Sequence, residues 1–398
     1  MVQDGIIVIL KGILYFVCNP VLYFLIAGFF LFGWQRVRRE RRSFGLKVYG
    51  VFNSVMVTIV PSLLIGLIGT IILVGAGISL PFGVIALITA CYFLTFCTVQ
   101  LRFLSPMIAV GLTMIIAYFL SDFSTPFDLL NRWISDINRA SLRDIGIMLT
   151  VVTLLEAVGV LIWGGRQTSP RLITSSRGKK VGAHEASQLW IAPIFILIPM
   201  STGGVDAMSW WPFSAGHSFG LCLLPLGIGF QQLISHSLPL PAIRQSGRWL
   251  LGTAILIAML TGVSFFYFRD GCLLVAAAIA VLSRISFVLW HYRVHHAYSF
   301  FFTNKGNGLM VVGIIPNSPA DYMNVKIGEV VDKANGRSVR TEEDFYRALQ
   351  INAAYCKLDI LNYEEEIRFV KAPVYENDFH NIGFLFLEPS RRVVEKAK

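Results

Sequence analysis

Charged residues are scarce in this sequence. Only 15% of its 398 residues are Asp, Glu, Lys or Arg, whereas 55% are hydrophobic. Soluble domains average about 25% charged residues, so this composition is typical of an integral membrane protein instead. Long apolar runs recur as far as about residue 290 and then shorten to the length of strands. The sequence therefore predicts a multi-pass transmembrane region, residues 1–296, followed by a soluble domain, residues 297–398.

The sequence also lacks the marks of a secreted or disulfide-stabilised protein. No basic segment follows Met1, and no small-x-small cleavage site ends the first apolar stretch, so we expect no cleavable signal peptide. The six cysteines form no CxxC pair, and five lie in or beside apolar runs. A free cysteine in such a place behaves as a small hydrophobic side chain. We therefore expect neither a structural disulfide nor a zinc site.

Catalytic motifs are missing as well. An intramembrane metalloprotease needs a motif of the H-E-x-x-H type, whereas the single His-Glu step, His184-Glu185, is followed by Ala-Ser-Gln. No serine within an apolar run has an evident basic partner, and the sequence contains no G-x-x-x-x-G-K-[ST] phosphate loop. The sequence predicts a protein that is not an enzyme and that binds no cofactor or metal. An unrecognised protease is the least favoured class.

Eight apolar runs are long enough to cross a membrane, because a spanning helix needs about 20 mostly apolar residues. They are residues 55–76, 81–99, 103–120, 145–165, 188–204, 213–235, 249–268 and 271–290. Before them, the stretch 5–34 is interrupted by Asn19-Pro20, where proline disfavours helix. This stretch is either one kinked span or an interfacial helix followed by a short span. The predicted fold is a polytopic α-helical membrane protein of about eight or nine spans with a C-terminal α+β domain.

Basic residues crowd three of the connecting loops. They are Arg36, Arg38, Arg39, Arg41, Arg42 and Lys47 in the first, five residues between 166 and 180 in the second, and Arg244 and Arg248 in the third. The alternate loops carry little positive charge, so the positive-inside rule places the basic loops and the soluble domain in the cytoplasm. Basic loops also favour the anionic surface of the lipid bilayer, so the net charge of +10 requires no nucleic acid. The alternative for the Arg36–Arg42 segment is an acidic partner.

Two ionisable residues lie inside the apolar runs, where charge is costly and marks candidate functional sites. Glu156 lies near the middle of 145–165. It is either a proton or ion site or a carboxylate hydrogen-bonded to a neighbouring helix. The second interpretation is favoured, since no other acidic residue or histidine lies at the same depth. Arg284 is predicted to extend its side chain to the cytoplasmic surface.

The last hundred residues predict a small α+β domain. The predicted elements are strand 308–315, helix 318–323, strand 330–334, a turn at Asn335-Gly336, helix 342–350 capped by Thr341, and strands 357–362, 367–371 and 382–387. Asn and Gly tolerate the positive φ of a tight turn, and a threonine cap followed by acidic residues is typical of a helix N-terminus.

This order, with the pattern Gly-Leu-x-Val … Ile-x-Pro-x-Ser-Pro-Ala … Ile-Gly-Glu-x-Val … Asn-Gly, resembles the PDZ domains of bacterial proteases and scaffolds. The family usually has glycine where this chain has Asn324, and asparagine is the next-best residue for a left-handed backbone. The resemblance implies that a peptide or C-terminal segment adds as a strand to a sheet edge beside a helix.

By the same resemblance, each part of the peptide site falls on a short segment of this chain. The carboxylate-binding loop is Lys305, Gly306, Asn307 and Gly308, the strand that pairs with the peptide is Leu309, Met310 and Val311, and the side-chain pocket is lined by Phe345 and Leu349. The alternative for Phe345 and Leu349 is that they fill the core of the domain.

Three further features concern the whole chain. They are the Asn19-Pro20 break, the segment Arg36-Val37-Arg38-Arg39-Glu40-Arg41-Arg42-Ser43-Phe44, and Leu101-Arg102-Phe103-Leu104-Ser105-Pro106. Together with the C-terminal PDZ-like domain, they resemble the MinJ family of division-site membrane proteins in Gram-positive bacteria. The resemblance implies an adaptor at the cell membrane, enriched at the septum and poles, that links a DivIVA-like coiled-coil protein to MinD/MinC, the inhibitor of FtsZ assembly, and to other division proteins.

A PDZ-regulated transporter or signalling protein is the alternative function. It is favoured by the helix-breaking residues Pro193, Pro199, Gly203-Gly204 and Pro225, since broken helices mark binding sites in transporters.

Overall fold

A computed structural model describes residues 2–120, 124–175, 177–200, 205–206, 218–267, 269–297, 299–304, 308–351, 355–373 and 382–387. Its helices are α1 (Val2–Cys18), α2 (Pro20–Phe44), α3 (Val51–Gly75), α4 (Phe82–Phe96), α5 (Pro106–Phe119), α6 (Asp128–Arg139), α7 (Leu142–Trp163), α8 (Pro239–Val263), α9 (Arg269–Ala297), α10 (Pro319–Tyr322) and α11 (Glu342–Leu349), with a 3-10 helix at Leu101–Phe103. Its strands are β1 (Thr168–Thr174), β2 (Lys180–Met200), β3 (Val205–Asp206), β4 (Ser218–Ile234), β5 (Leu309–Ile314), β6 (Val330–Ala334), β7 (Arg337–Ser338), β8 (Tyr355–Leu361), β9 (Ile367–Pro373) and β10 (Phe384–Leu387).

Membrane-type helices form most of the first three hundred residues. Five described helices are long and apolar enough to cross a membrane: Pro20–Phe44, Val55–Gly75, Leu142–Trp163, Pro239–Val263 and Asp270–Arg293. The predicted spans 81–99 and 103–120 correspond to the shorter helices α4 and α5, of 15 and 14 residues. At 1.5 Å per residue each is about 22 Å long, less than the roughly 30 Å of a hydrocarbon core. The membrane-helix character of the chain is confirmed, and among the described residues five helices, not eight, have the length and apolar character of a membrane span.

The predicted break in the first apolar stretch separates two helices. The Asn19 side chain accepts a hydrogen bond from the Val21 amide at 2.9 Å and so caps α2. Pro20 occupies the first turn of α2, where its missing N–H has no helical partner to lose. Helix α2 then continues ten residues beyond the predicted end at residue 34 and stops at Gly45, whose φ is 74°.

Two of the predicted helical spans, 188–204 and 213–235, are wrong, because the described parts of both are strands. Strands β2 and β4 form an antiparallel ladder from His184 opposite Ile234 to Met200 opposite Ser218. The sheet order is β1-β2-β4-β3. Residues 189–199 of β2 and 219–230 of β4 are apolar without interruption, because helices pack against this part of the hairpin. Strands buried on both faces lack the alternation of polar and apolar residues.

The prolines explain why this segment forms strands instead of helices. A proline inside a helix removes a hydrogen bond and clashes with the preceding turn. In the ladder, Pro193 lies directly opposite Pro225. Pro199 lies six residues further along β2, an even number, so its backbone nitrogen points to the same side of the strand as that of Pro193. Since proline has no N–H, these positions fit pairs whose N–H groups point away from the partner strand. The three prolines that the sequence marked as helix breakers are thus tolerated in the hairpin, whereas Gly203 and Gly204 lie outside the described residues.

Hydroxyl groups of α3 accept hydrogen bonds from two amides on the outer edge of β2. The Ile191 amide donates to Ser62 Oγ at 3.1 Å, and the Phe195 amide donates to Thr70 Oγ1 at 3.0 Å. Gly66 lies between the two hydroxyl residues, and a Cβ there would collide with Pro193. Because unpaired backbone groups are costly in an apolar environment, the strand and helix form one packed unit.

The C-terminal domain has the predicted elements in the predicted order. Its sheet order is β10-β5-β6-β8-β9, and β7 pairs with β6. Asn324 has a φ of 52°, as expected for a position that favours glycine. Thr341 and Asp344 form a reciprocal capping box at the start of α11. A separate hydrophobic core fills this domain and includes Leu309, Val311 and Phe345.

The domain packs against one end of the membrane region. Met310, Val312 and Phe302 form a small apolar cluster on the side of β5 that faces this region. His184 of β2 is completely buried there; its Nε2 lies 2.7 Å from the Val312 carbonyl oxygen, and its ring lies 5.2 Å from that of Phe302. Burial lowers the pKa of His184 to about 4, against the usual 6.5. The imidazole is therefore neutral at pH 7 and donates to the carbonyl.

Candidate functional site

Strand β5, where the sequence predicted the peptide to pair, has both edges occupied. Leu309 and Met310 pair with β6, and the Val311 amide donates to the Glu329 carbonyl at 2.9 Å. On its other side, β5 pairs with β10. The prediction that Leu309, Met310 and Val311 pair with a peptide is therefore wrong, since no edge of β5 is open to an added strand.

The predicted carboxylate-binding loop is only partly visible. Lys305, Gly306 and Asn307 lie outside the described residues. Gly308 has a φ of 138°, and a Cβ at this position would collide with the Val331 carbonyl of β6. Glycine is thus required at 308 for the close approach of two strands.

An open sheet edge lies instead at β10. This strand is the last in the sheet order, and no other described strand pairs with its outer side. A groove of about 490 Å³ runs beside it, with Gly383–Leu387 on one wall and Glu342 and Tyr346 of α11 on another. An edge strand beside a helix is the geometry in which an extended peptide adds to a sheet.

The two residues predicted to line the side-chain pocket belong to the core of the domain. Phe345 is completely buried, with its ring 4.9 Å from Phe386 and 5.9 Å from Phe384. Leu349 is 2% exposed and lies in the same core. The alternative given for both residues is therefore the one that the structure supports. Tyr346, the neighbour of Phe345 on α11, faces the groove.

The remaining wall of the groove comes from the membrane region. Ser43, Phe44 and Leu46, at and beyond the end of α2, line it together with Leu172 and Lys180. Ser43 Oγ also accepts a hydrogen bond from the Leu172 amide at 3.3 Å, which joins α2 to β1. A peptide in this groove would therefore contact the C-terminal domain and the membrane region together.

A buried carboxylate fixes this wall. Glu40 has no exposed surface and accepts hydrogen bonds from the Val48 amide at 2.8 Å, the Tyr49 amide at 3.2 Å and Ser169 Oγ at 2.6 Å. It also pairs with Arg36 at 3.7 Å. The chain after α2 thus turns back onto its own last helical turns. The sequence showed Glu40 only as a single acid in a basic run.

The five arginines of the basic segment divide into two groups. Arg36 is buried beside Glu40, and Arg39 pairs with Glu185 of β2 at 3.2 Å. Arg38, Arg41 and Arg42 are exposed. Only the second group fits the predicted membrane-surface role, because the first group holds α2 against its own following loop and the hairpin.

Glu156 has a charged partner that the sequence analysis did not assign to it. Arg284 Nη1 lies 3.0 Å from one carboxylate oxygen, and Ser105 Oγ donates to the other at 2.6 Å. Arg284 also donates to the Gly229 carbonyl of β4 at 2.8 Å. Both charged side chains are 1% exposed. The prediction that Arg284 extends to the surface is wrong, because a buried carboxylate and a strand edge hold it inside.

Sequence reasoning missed Tyr346, Phe44 and the Gly383–Leu387 segment as groove residues. A signal for the last was present: Gly383, with a φ of 96° and no room for a Cβ beside Ser318, opens the strand β10. Within the described ranges, no group of three or more His, Cys, Asp or Glu side chains is placed to hold a metal ion.

Comparison with known proteins identifies relatives along the whole length of the chain. The "Cell division topological determinant MinJ" of Bacillus subtilis (strain 168) is 33% identical over 396 residues, which covers 98% of this chain and 97% of that protein. The "Probable cell division topological determinant MinJ" of Lacticaseibacillus paracasei, and that of Lacticaseibacillus casei (strain BD-II), are each 24% identical over 224 residues, 56% of this chain and 59% of theirs. No protein-family model and no solved structure matches the chain. Sequence identity of 33% over nearly the full length of both proteins shows that the chain belongs to the MinJ family.

Proposed function

We propose that this protein is a membrane-anchored adaptor in bacterial division-site selection, and that its PDZ-type domain binds a peptide segment of a partner at β10. The observation that carries the proposal is the open edge of β10 beside α11, in a chain whose relatives are named as cell division topological determinants. Backbone hydrogen bonds of an added strand supply affinity, and side-chain pockets supply specificity.

The basic loops support a cytoplasmic position for this groove. Arg39 from the first basic loop and Arg171 from the second contact the same carboxylate, Glu185, at 3.2 and 3.3 Å. The neighbouring His184 contacts the C-terminal domain. Two basic loops and the domain thus lie at one end of the molecule, and positively charged loops favour the cytoplasmic side.

The proposed partners are a DivIVA-like coiled-coil protein and MinD/MinC, with the adaptor forming the bridge between them. One partner enters the groove, and the exposed arginines Arg38, Arg41 and Arg42 or the helices contact another. Anchoring the groove to the membrane raises its effective concentration for partners that are also bound there. This role requires no catalytic step, and it places the protein at septa and poles.

Localisation in dividing cells tests the proposal. Fluorescently tagged copies of the full chain, of a chain ending at His296, and of Tyr346→Ala are compared. We expect the full chain at septa and poles, and we expect misplaced or filamentous division with the truncated chain. Tyr346→Ala removes the aromatic side chain that α11 presents to the groove, so we expect this variant to reach the membrane but to lose partner recruitment.

Tyr322→Ala is the matched control, since Tyr322 is 76% exposed on α10 and does not line the groove. It should behave like the unmodified chain. Even distribution of every version around the membrane, with normal division, would overturn the adaptor role and favour a PDZ-regulated transporter or signalling protein. Equal defects from Tyr346→Ala and Tyr322→Ala would exclude the groove as the binding site.

A further inference from the structure

A second cavity, separate from the β10 groove, lies where the hairpin meets α2, the 3-10 helix and α9. Its volume is about 320 Å³. Its polar lining consists mainly of Arg39, Arg102, Arg171, Glu185, Gln231 and Tyr292. Three arginines from three different elements therefore face one small space, although they are far apart in the sequence.

The cavity has an excess of positive charge. Among the described residues, Glu185 is the one carboxylate that lines the cavity, and it interacts with Arg39 at 3.2 Å and Arg171 at 3.3 Å through the same oxygen. The other oxygen accepts a hydrogen bond from Gln231 at 2.7 Å. One negative charge thus offsets one of three positive charges, and both carboxylate oxygens are already engaged.

Arg102 has no such partner among the residues that the structure describes. It is half-buried, its Nε has no hydrogen-bond partner in that part of the chain, and no described carboxylate lies within 4.0 Å of its guanidinium. Removing a guanidinium nitrogen from water without an acceptor costs free energy. An anion in the cavity would supply the missing acceptor.

The depth of the cavity matches that of a lipid headgroup. Tyr292 on its rim is 61% exposed and adjoins His291, which lines both this cavity and a neighbouring one that contains Trp249 and Trp290. Exposed Trp and Tyr residues concentrate at the membrane interface. Further exposed aromatic residues, Phe266 and Tyr267, lie just beyond the end of α8, so exposed aromatic residues flank its apolar segment 250–263 on both sides.

We propose that this arginine cavity binds a phosphate anion, such as that of an anionic phospholipid headgroup, with Arg102 as its principal ligand. Guanidinium groups bind phosphate oxygens through paired, charge-assisted hydrogen bonds. A bound headgroup would join α2, the 3-10 helix and the hairpin at the base of the C-terminal domain. The site is independent of the adaptor role proposed above, because no division protein takes part.

Thermal unfolding of the purified full chain in neutral detergent tests the site. Phosphatidylglycerol, phosphatidylcholine and inorganic phosphate are titrated separately, and the midpoint of unfolding is measured. A ligand that binds only the folded state raises this midpoint. We expect phosphatidylglycerol to raise it and phosphatidylcholine to have much less effect. For Arg102→Gln we expect binding roughly tenfold weaker, as for the loss of one charged hydrogen bond.

Arg42→Gln is the matched control, since it removes the same charge from an exposed arginine outside the cavity. Arg102→Lys keeps the charge and should retain part of the effect, which separates ligand loss from misfolding. If inorganic phosphate raises the unfolding midpoint and Arg102→Gln abolishes this rise, the cavity is a phosphate site whose ligand comes from solution. Equal losses of ligand binding in Arg102→Gln and Arg42→Gln would overturn the proposal. So would a chain that phosphatidylglycerol stabilises no more than phosphatidylcholine and that inorganic phosphate does not stabilise.

Discussion

The two described sheets of this protein differ in whether their strand edges are covered by hydrogen-bonding side chains. In the hairpin of β2 and β4, side chains of neighbouring helices bind the outer edges: Ser62 and Thr70 accept from β2, and Arg284 donates to β4. In the C-terminal domain, β10 has one edge paired with β5 and the other facing a groove. Surrounded by apolar helices, an unpaired edge would be costly. Beside a groove that is open to water, an unpaired strand edge carries no such cost.

The side chains that cover the hairpin edges also explain how the membrane region contains a sheet. A strand needs a partner for every backbone group that is removed from water. Because the partners of β2 and β4 are side chains of α3 and α9, the hairpin and the helices depend on one another. The C-terminal domain has its own core and needs no such support for its sheet. Variants that remove a side chain from a strand edge should therefore lower the free energy of unfolding more in the hairpin than at β10.

The largest effect should come from the ion pair that covers β4. Arg284→Met leaves Glu156 buried without its cation, and Glu156→Leu leaves Arg284 without its carboxylate, so each should destabilise the protein by about 3–5 kcal/mol. The double variant should lose less than the sum of the two, since it buries no unpaired charge. Chemical unfolding in detergent measures this, with Arg143→Met at the half-buried start of α7 as the control. Additive losses would contradict a direct interaction.

An effect of similar size is expected within the C-terminal domain for Phe345→Ala. This ring fills the core between Phe384 and Phe386, so its removal should cost about 3–5 kcal/mol. Tyr346→Ala, at the groove, should cost much less stability while it removes peptide binding. Unfolding curves and a peptide-binding assay on the full chain distinguish the two. A large loss of stability from Tyr346→Ala would show that the groove wall belongs to the core.

Acid should weaken the contact between the two regions. His184 lies outside the apolar run 188–204, and its pKa in the folded protein, about 4, is below the usual 6.5. Neutral His184 therefore contributes its full stabilisation of the folded state above about pH 6.5. This contribution is lost as the pH falls toward 4, and about 2 kcal/mol of it is lost near pH 5. Limited proteolysis between α9 and β5 at pH 7 and pH 5 measures the loss. The pH dependence should disappear in His184→Gln; an unchanged dependence would exclude His184 as its cause.

The smallest effect should come from the hydroxyls that cover β2. Ser62→Ala or Thr70→Ala leaves one strand amide without its acceptor, which should cost about 1–2 kcal/mol each. Thr89→Ala is the control, because Thr89 Oγ1 donates to the Ile85 carbonyl of its own helix and accepts from no strand amide in the described part of the chain. Unfolding midpoints in detergent measure the difference. Equal effects at all three positions would mean that helix propensity, and not the strand edge, decides the result.

Local rules predicted the C-terminal domain well. Its turn at Asn335-Gly336, its capped helix at Thr341 and the left-handed Asn324 depend on a few neighbouring residues, so the sequence reveals them. The same rules failed for 188–204 and 213–235, because length and apolar character do not distinguish a spanning helix from a strand buried on both faces. Pro193 and Pro225 carried the correct signal, but they showed only that a regular helix was unfavourable there.

The sequence predicted a peptide site along β5, whose two edges are both paired, whereas the unpaired edge beside α11 belongs to β10. Phe345 and Tyr346 are neighbours on α11, and only the packing of β10 decides which faces the core. The open edge itself depends on which strand ends the sheet, a property that no short segment contains.

By itself, the sequence determined the membrane character of the chain, its basic loops, and the elements of the C-terminal domain. These follow from composition, charge and local backbone preferences, which act over a few residues. Only the tertiary structure decided that two apolar runs pair as a hairpin, that Glu156 meets Arg284, and that β10 has the open edge. These depend on contacts between residues far apart in the chain, where the requirement to pair each buried polar group selects one arrangement.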